Sequence, residues 1–252
     1  MRRIIPFVLI ALLAGCGGDD GAGGTTTTAE STTTTEPVTT TSEATTTTGG
    51  AADGCDAPAV ATDAEERIDV EGDVDGDGTD DTVTSFRDSE GVHLTVELAN
   101  GAGRGSVILA SAEVGAVGGL QGIVDINGDG AGEIWAIVGS GAAALLYEPF
   151  IVEGCAPKPI LLNSAPAVFA VGGSVNNAAG VRCDDLDGNG ALDEVVRLEA
   201  SSTDGENFET TSTGFTMLDG EFSQLSQQQG AITSGDPGFD EFASFACGDL
   251  TD

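Results

Sequence analysis

Three acidic stretches that share one internal spacing limit what this chain can become. They read Asp73-Val74-Asp75-Gly76-Asp77-Gly78-Thr79-Asp80-Asp81, Asp125-Ile126-Asn127-Gly128-Asp129-Gly130-Ala131-Gly132-Glu133 and Asp185-Leu186-Asp187-Gly188-Asn189-Gly190-Ala191-Leu192-Asp193. Each fits D-x-[DN]-x-[DN]-G-x-x-[DE]. A hard divalent cation, calcium above all, takes about six to eight oxygen ligands; positions 1, 3, 5 and 9 offer carboxylate or amide oxygens and position 7 a backbone carbonyl. Glycine at position 6 permits the sharp turn that wraps these groups around one ion. An EF-hand would also need a glutamate at position 12 and a helix on either side. Position 12 is Thr84, Ala136 and Val196, none of which brings a carboxylate. The residues after each loop are β-branched and apolar, as in Ile134-Trp135-Ala136-Ile137-Val138, and predict a strand. Each loop is therefore expected to be a metal-filled corner leading into a strand.

The chain opens with Arg2, Arg3 and an apolar run from Ile4 to Leu13, the pattern of an export signal and too short to span a bilayer. Its end, Leu13-Ala14-Gly15-Cys16, resembles the lipobox of bacterial lipoproteins. The resemblance implies a signal peptide over 1–15, removed ahead of Cys16, which would carry the lipid. Residues 16–54 then form a threonine-rich linker with runs at Thr25 to Thr28, Thr32 to Thr35, Thr39 to Thr41 and Thr45 to Thr48. Such a composition buries too little apolar surface to offset its ordering entropy, so a coil with an end-to-end distance of roughly 35 Å is expected. The remainder, 55–252, is long enough for one substantial core. Clusters of Gly, Asp, Asn and Ser separate short apolar runs there, and helical periodicity is absent, so an all-β domain is expected.

Removing Arg2 and Arg3 from the 8 basic residues leaves 6 against 42 acidic ones, so the formal charge of −34 becomes −36. That charge argues against nucleic acid and against electrostatic binding to anionic lipid. Part of it is explained by solubility in a crowded exterior and part by bound cations. After Cys16 four cysteines remain, Cys55, Cys155, Cys183 and Cys247, an even number in an exported chain. Their flanks fall into two kinds: Gly54-Cys55-Asp56-Ala57-Pro58 is like Gly154-Cys155-Ala156-Pro157, and Cys183-Asp184-Asp185-Leu186 is like Cys247-Gly248-Asp249-Leu250. If like segments occupy like places in repeated units, one kind pairs with the other. The expected bridges are then Cys155 with Cys183 and Cys55 with Cys247.

Loop spacings of 52 and 60 residues, with Asp249 a further 64 on, indicate repeated supersecondary units. The sequence resembles FG-GAP and VCBS-type repeats, whose calcium loops occur in the β-propeller of integrin α-subunits and in many bacterial surface proteins. The likeness covers the loops and the strand after each; clear Phe-Gly and Gly-Ala-Pro elements are missing. It implies propeller-like blades, in a small or partial propeller, with calcium loops between strands. It further implies three ligand sets: Asp73, Asp75, Asp77, the Thr79 carbonyl and Asp81; Asp125, Asn127, Asp129, the Ala131 carbonyl and Glu133; Asp185, Asp187, Asn189, the Ala191 carbonyl and Asp193. Three blades are fewer than a closed propeller uses. The C-terminal echo Cys-Gly-Asp-Leu suggests a compact ring in which the last strand completes the first unit.

His93 is the only histidine, and in Val92-His93-Leu94-Thr95-Val96-Glu97 it shares the alternate, polar face with Thr95 and Glu97, which predicts a solvated strand histidine. The lone Trp135 and Tyr147 are sparse provision for stacking on sugars, and Trp135 sits in a strand where it is expected to be core. These points favour a non-enzyme. The expected function is a lipid-anchored surface module on the extracytoplasmic face of the cell membrane, stiffened by structural Ca2+ and serving in binding, adhesion or scaffolding toward a protein or wall polymer. The competing expectation is a cell-envelope hydrolase of glycosidase type that uses paired carboxylates.

Overall fold

Alternating apolar and polar side chains produce the antiparallel ladders that dominate the computed structural model, which describes residues 55–109 and 119–251. The signal segment, Cys16 and the threonine-rich linker lie outside the described residues. Strands β1 (Glu65–Gly72), β2 (Asp81–Arg87), β3 (Val92–Glu97) and β4 (Arg104–Ile108) form a first antiparallel meander. A second is built from β5 (Gly119–Val124), β6 (Glu133–Ser140), β7 (Ala144–Glu153) and β8 (Ala156–Pro159). The short hairpin of β9 (Leu161–Leu162) and β10 (Ala165–Pro166) follows, and then β11 (Phe169–Ser174), which pairs with β7. The third meander is β12 (Asn177–Asp184), β13 (Glu194–Ser202), β14 (Asn207–Leu218) and β15 (Glu221–Thr233). A 3₁₀ turn at Asp240–Ala243 leads to β16 (Phe245–Cys247) and β17 (Leu250–Thr251). The fold is thus all-β, as the sequence indicates. In each meander the acidic loop joins the first strand to the second.

Strand β6 explains how the meanders stack. Its run Ile134-Trp135-Ala136-Ile137-Val138 is apolar at every position, the pattern of a strand covered on both faces. Ile134, Ala136 and Val138 enter one core with Val83, Leu94 and Val96 of the first meander. Trp135 points the other way, into a core with Val195 and Phe215 of the third. There its ring lies 5.8 Å from Phe169 and 5.1 Å from Phe245. The second meander therefore contributes to both cores, and burying each of its large aliphatic side chains stabilises by about 1.5 to 3 kcal/mol.

Three expectations are corrected. The disulfides join Cys55 to Cys155 and Cys183 to Cys247, with Cα separations of 5.2 and 4.6 Å, so like flanks pair with like. Flank similarity misled because it does not mark equivalent strands. Cys55 runs beside β4, its carbonyl accepting from the Arg104 N–H at 3.0 Å, while Cys155 sits in the turn from β7 to β8. Gly105 lets these backbones meet, for a Cβ there would collide with the Cys155 carbonyl. Nor does the C-terminal strand complete the first unit. β16 pairs in parallel with β12, and Leu250 packs against Gly122 of β5, so the end of the chain seals the second and third meanders. No closed barrel or ring forms among the described residues. Finally, the β3 face is less wet than its polarity suggests. Thr95 is buried and donates to Ser106 Oγ at 3.0 Å, and His93 stacks on Phe86 at 4.8 Å, because β3 is flanked on both sides by strands that supply those partners.

With loop separations of 100 and 64 residues, each bridge contributes about 4 to 5 kcal/mol on chain-entropy grounds. Non-reducing peptide mapping of the folded protein will recover Cys55 linked to Cys155 and Cys183 linked to Cys247. A second expectation concerns Glu148, a buried acid opposite Ala136 whose desolvation pushes it up to about 7 from 4.5. Between these two values the unfolded chain ionises first, so stability falls as pH rises from about 4.5 to about 7 and stays low above it. Glu148→Gln removes that loss. Thermal melts will show the variant more stable than the parent at pH 8, by on the order of 2 kcal/mol, and level with it near pH 4.

Candidate metal centres

The three acidic loops fold alike and share four classes of side-chain bond. The first-position aspartate accepts from two glycine N–H groups: Asp73 from Gly76 and Gly78, both at 2.8 Å, Asp125 from Gly128 at 2.7 Å and Gly130 at 2.9 Å, Asp185 from Gly188 at 2.7 Å and Gly190 at 2.8 Å. The third-position side chain accepts from the fifth N–H, as Asp75 from Asp77, Asn127 from Asp129 and Asp187 from Asn189. The fifth accepts from the seventh, as Asp77 from Thr79, Asp129 from Ala131 and Asn189 from Ala191. The ninth accepts from the second, as Asp81 from Val74, Glu133 from Ile126 and Asp193 from Leu186. Each turn oxygen keeps spare lone pairs, since a carboxylate has about four acceptor sites. The glycines at positions 4 and 6 all have positive φ, from 73° to 97°. The requirement at position 4 was visible in the sequence as three aligned glycines, but the ligand pattern alone does not demand it.

In the first loop Asp73, Asp75 and Asp81 bring carboxylate oxygens within 4.8 Å of one another, and in the third Asp185, Asp187 and Asp193 do the same. These clusters can hold a metal ion. Among the described residues Asp125, Asp129 and Glu133 of the second loop form no such group, although the turn bonds are the same. There the Asn127 amide donates to Asp129 Oδ2 at 2.9 Å, in place of a carboxylate turned inward. Thr79, Ala131 and Ala191 commit their N–H groups to the fifth-position side chain, which leaves their carbonyls for other partners.

Electrostatics favours a cation in the first two loops. Desolvation holds Asp75 above the usual carboxylate range, with Asp81, Asp77 and Asp73 adding repulsion. Burial pushes Glu133 up to about 8, and the charges of Asp129 and Asp125 act the same way. A bound cation opposes every one of these causes. Asp185, more open, is held low by backbone N–H groups, Gly190 first. The hydrophobic second position tells the same story. Val74 and Ile126 are buried, whereas Leu186 is 54% exposed.

The loops also touch in order. The Gly132 N–H of the second donates to the Asp73 carbonyl of the first at 2.7 Å. A Cβ built on Gly76 would lie 3.6 Å from the Ala131 methyl, and one on Gly128 3.3 Å from that of Ala191. A Cβ built on Gly188 of the third loop would meet nothing within 4 Å among the described residues, so the row is open at that end. Two contributors lie outside the motif: Asn100, in the turn from β3 to β4, donates to Asp75 at 2.9 Å and Asp77 at 3.1 Å. The neighbouring Ala99 N–H donates to Asp81 at 2.8 Å. Sequence reasoning missed both, for nothing in the spacing of the motif points to a turn 25 residues away. A further acid group, Asp88, Glu90 and His93, lies in the turn from β2 to β3, with His93 Nε2 2.9 Å from Asp88 Oδ1.

No family model, no curated protein and no solved structure matches the chain.

The shared bonds separate two roles. Asp73→Ala removes the acceptor of two turn amides, so melting will show a loss of about 1 to 3 kcal/mol whether or not chelator is present. Asp75→Asn keeps an acceptor and deletes one of the mutually repelling charges. It will weaken cation binding severalfold by calorimetry, while in chelator it melts no lower than the parent.

Proposed function

We propose that the protein is a lipid-anchored surface module whose three repeat loops each bind a structural Ca2+, and whose β head serves in binding or scaffolding outside the membrane. The observation that carries this is the recurrence of one oxygen-rich turn, with the same four classes of side-chain bond, at the same place in three four-stranded meanders. Oxygen-only donors, five per loop with carbonyls counted, suit a hard cation, and loop flexibility suits calcium over magnesium with its octahedral demand. The ligands are Asp73, Asp75, Asp77, Thr79 and Asp81 for the first ion. Asp125, Asn127, Asp129, Ala131 and Glu133 hold the second, and Asp185, Asp187, Asn189, Ala191 and Asp193 the third.

Each meander is a blade-like unit of the FG-GAP and VCBS kind, arranged in an open stack with the calcium loops in a row along one edge. The ions relieve repulsion and fix the corner from which the second strand of each unit departs. Cys16 fastens the chain to the membrane and the threonine-rich segment gives reach. With two disulfides fixing the packing, the head presents a rigid surface to a protein or wall polymer.

For a site of about 0.1 mM at about 1 mM free ion, binding stabilises by about 1.4 kcal/mol, or about 4 kcal/mol for three. Adding EDTA will lower the melting temperature by about 10 °C, and calcium will restore it. Elemental analysis of the folded protein that finds no calcium, together with a melting curve indifferent to EDTA, would sink the proposal. A pull-down from envelope extract with and without calcium tests the binding role, since a recognition surface stiffened by the ion loses its saturable partner in chelator.

A further inference from the structure

Strand β15 is long, exposed and paired along one side only. β14 takes up its whole length, whereas β9 covers the other side at Glu221 and Phe222 alone. From Ser223 to Ile232 the outward N–H and C=O groups therefore meet no strand among the described residues. The segment reads Ser223-Gln224-Leu225-Ser226-Gln227-Gln228-Gln229-Gly230-Ala231-Ile232. It contains no charged residue and no proline, in a chain of net charge −34.

Every other outer strand carries a device that prevents edge pairing. β1 has Glu65, Glu66, Arg67, Asp69 and Glu71 along its length. β4 is only five residues long, and the backbone at Cys55 and Ala57 closes its start by exchanging hydrogen bonds with Arg104 at 3.0 and 2.9 Å. β8 is Ala-Pro-Lys-Pro, β10 is two residues ending in proline, and β17 is two residues long. β5 is capped by the Gln121 side chain bonding the Thr251 carbonyl at 3.1 Å. Among the described strands, β15 is the one long edge left as an open template.

We propose that β15 pairs antiparallel with β15 of a second copy of this chain, joining two heads edge to edge about a two-fold axis near Gln228. Charge selects this occupant. Two heads this acidic repel wherever carboxylates meet, and the ten residues from Ser223 to Ile232 form an edge that sets no carboxylate against another. Pairing about Gln228 places Gln227 opposite Gln229 on both sides of the axis. A glutamine amide both donates and accepts, so the glutamine run is self-complementary. Ten residues at about 3.4 Å each give a seam of roughly 34 Å.

Sedimentation of the full chain in detergent, across protein concentration, tests this. The protein mass will rise from one chain to two, and dimerisation will strengthen from 0.15 M to 1 M NaCl as the screening length falls from about 8 to about 3 Å. The triple variant Gln227→Glu, Gln228→Glu, Gln229→Glu sets like charges directly opposite one another and weakens the dimer about tenfold or more. A control with Ser89→Glu, Val168→Glu and Val175→Glu adds the same charge at exposed positions elsewhere and leaves the dimer intact; circular dichroism verifies that both variants fold. A monomer at every concentration in high salt overturns the proposal, and so does a dimer that the β15 variant leaves unchanged.

Discussion

The ninth-position acid is the hinge of the whole arrangement. Asp81 and Glu133 are each the first residue of a strand buried in the core, and each carboxylate reaches back to the N–H of the loop's second residue. One side chain thus closes the corner and fixes the register in which the strand leaves it. It does so at the cost of taking a carboxylate out of water, which is tolerable only with hydrogen bonds, a proton or a cation. Glu133 shows that tension most plainly, pushed up to about 8 by burial beside two aspartates. The case for a cation in these loops arises from where the strands must begin.

That constraint reaches the packing through β6. Because its residues enter cores on both sides, the second meander is held between the first and the third, and its loop lies between theirs. The bond from Gly132 to the Asp73 carbonyl ties the first two corners directly. The first loop also draws on Asn100 and Ala99 from the turn between β3 and β4, at the same end of its own meander. The third corner meets no further acidic loop among the described residues, and its Leu186 is exposed. Identical motifs are thereby graded in embedding by their place in the stack, an effect that ligand counting alone does not yield.

Much of this was legible in the residues themselves. The spacing of oxygen donors gave the loops, and the β-branched, apolar run of β6 marked a strand, because both signals are local; that the strand is covered on both faces emerged only from the packing. Disulfide pairing was not legible: the flanks of Cys55 and Cys155 look alike, yet what brings them together is β4 meeting the turn from β7 to β8, a long-range contact. The C-terminal echo misled for a related reason. Phe245 and Cys247 are drawn into the core of Trp135 and Tyr147, and that burial, rather than symmetry with the earlier loops, decides where the strand goes. Thr95 and His93 read as a wet face until the partners Ser106 and Phe86, on adjacent strands, are known.

Charge accounts for what the corners cannot. Three divalent ions, if bound, would add +6 to a formal charge of −34, leaving −28, so filling the loops would relieve local repulsion without changing the sign of the surface. A body this acidic repels its own kind through any ordinary patch, over a distance of about one screening length. Negative charge therefore performs the edge protection on β1, where carboxylates line the strand. The neutral glutamine stretch of β15 stands outside that scheme. An unguarded edge on an otherwise self-repelling molecule concentrates association at one place, and the surrounding acid makes that association specific by penalising every other approach.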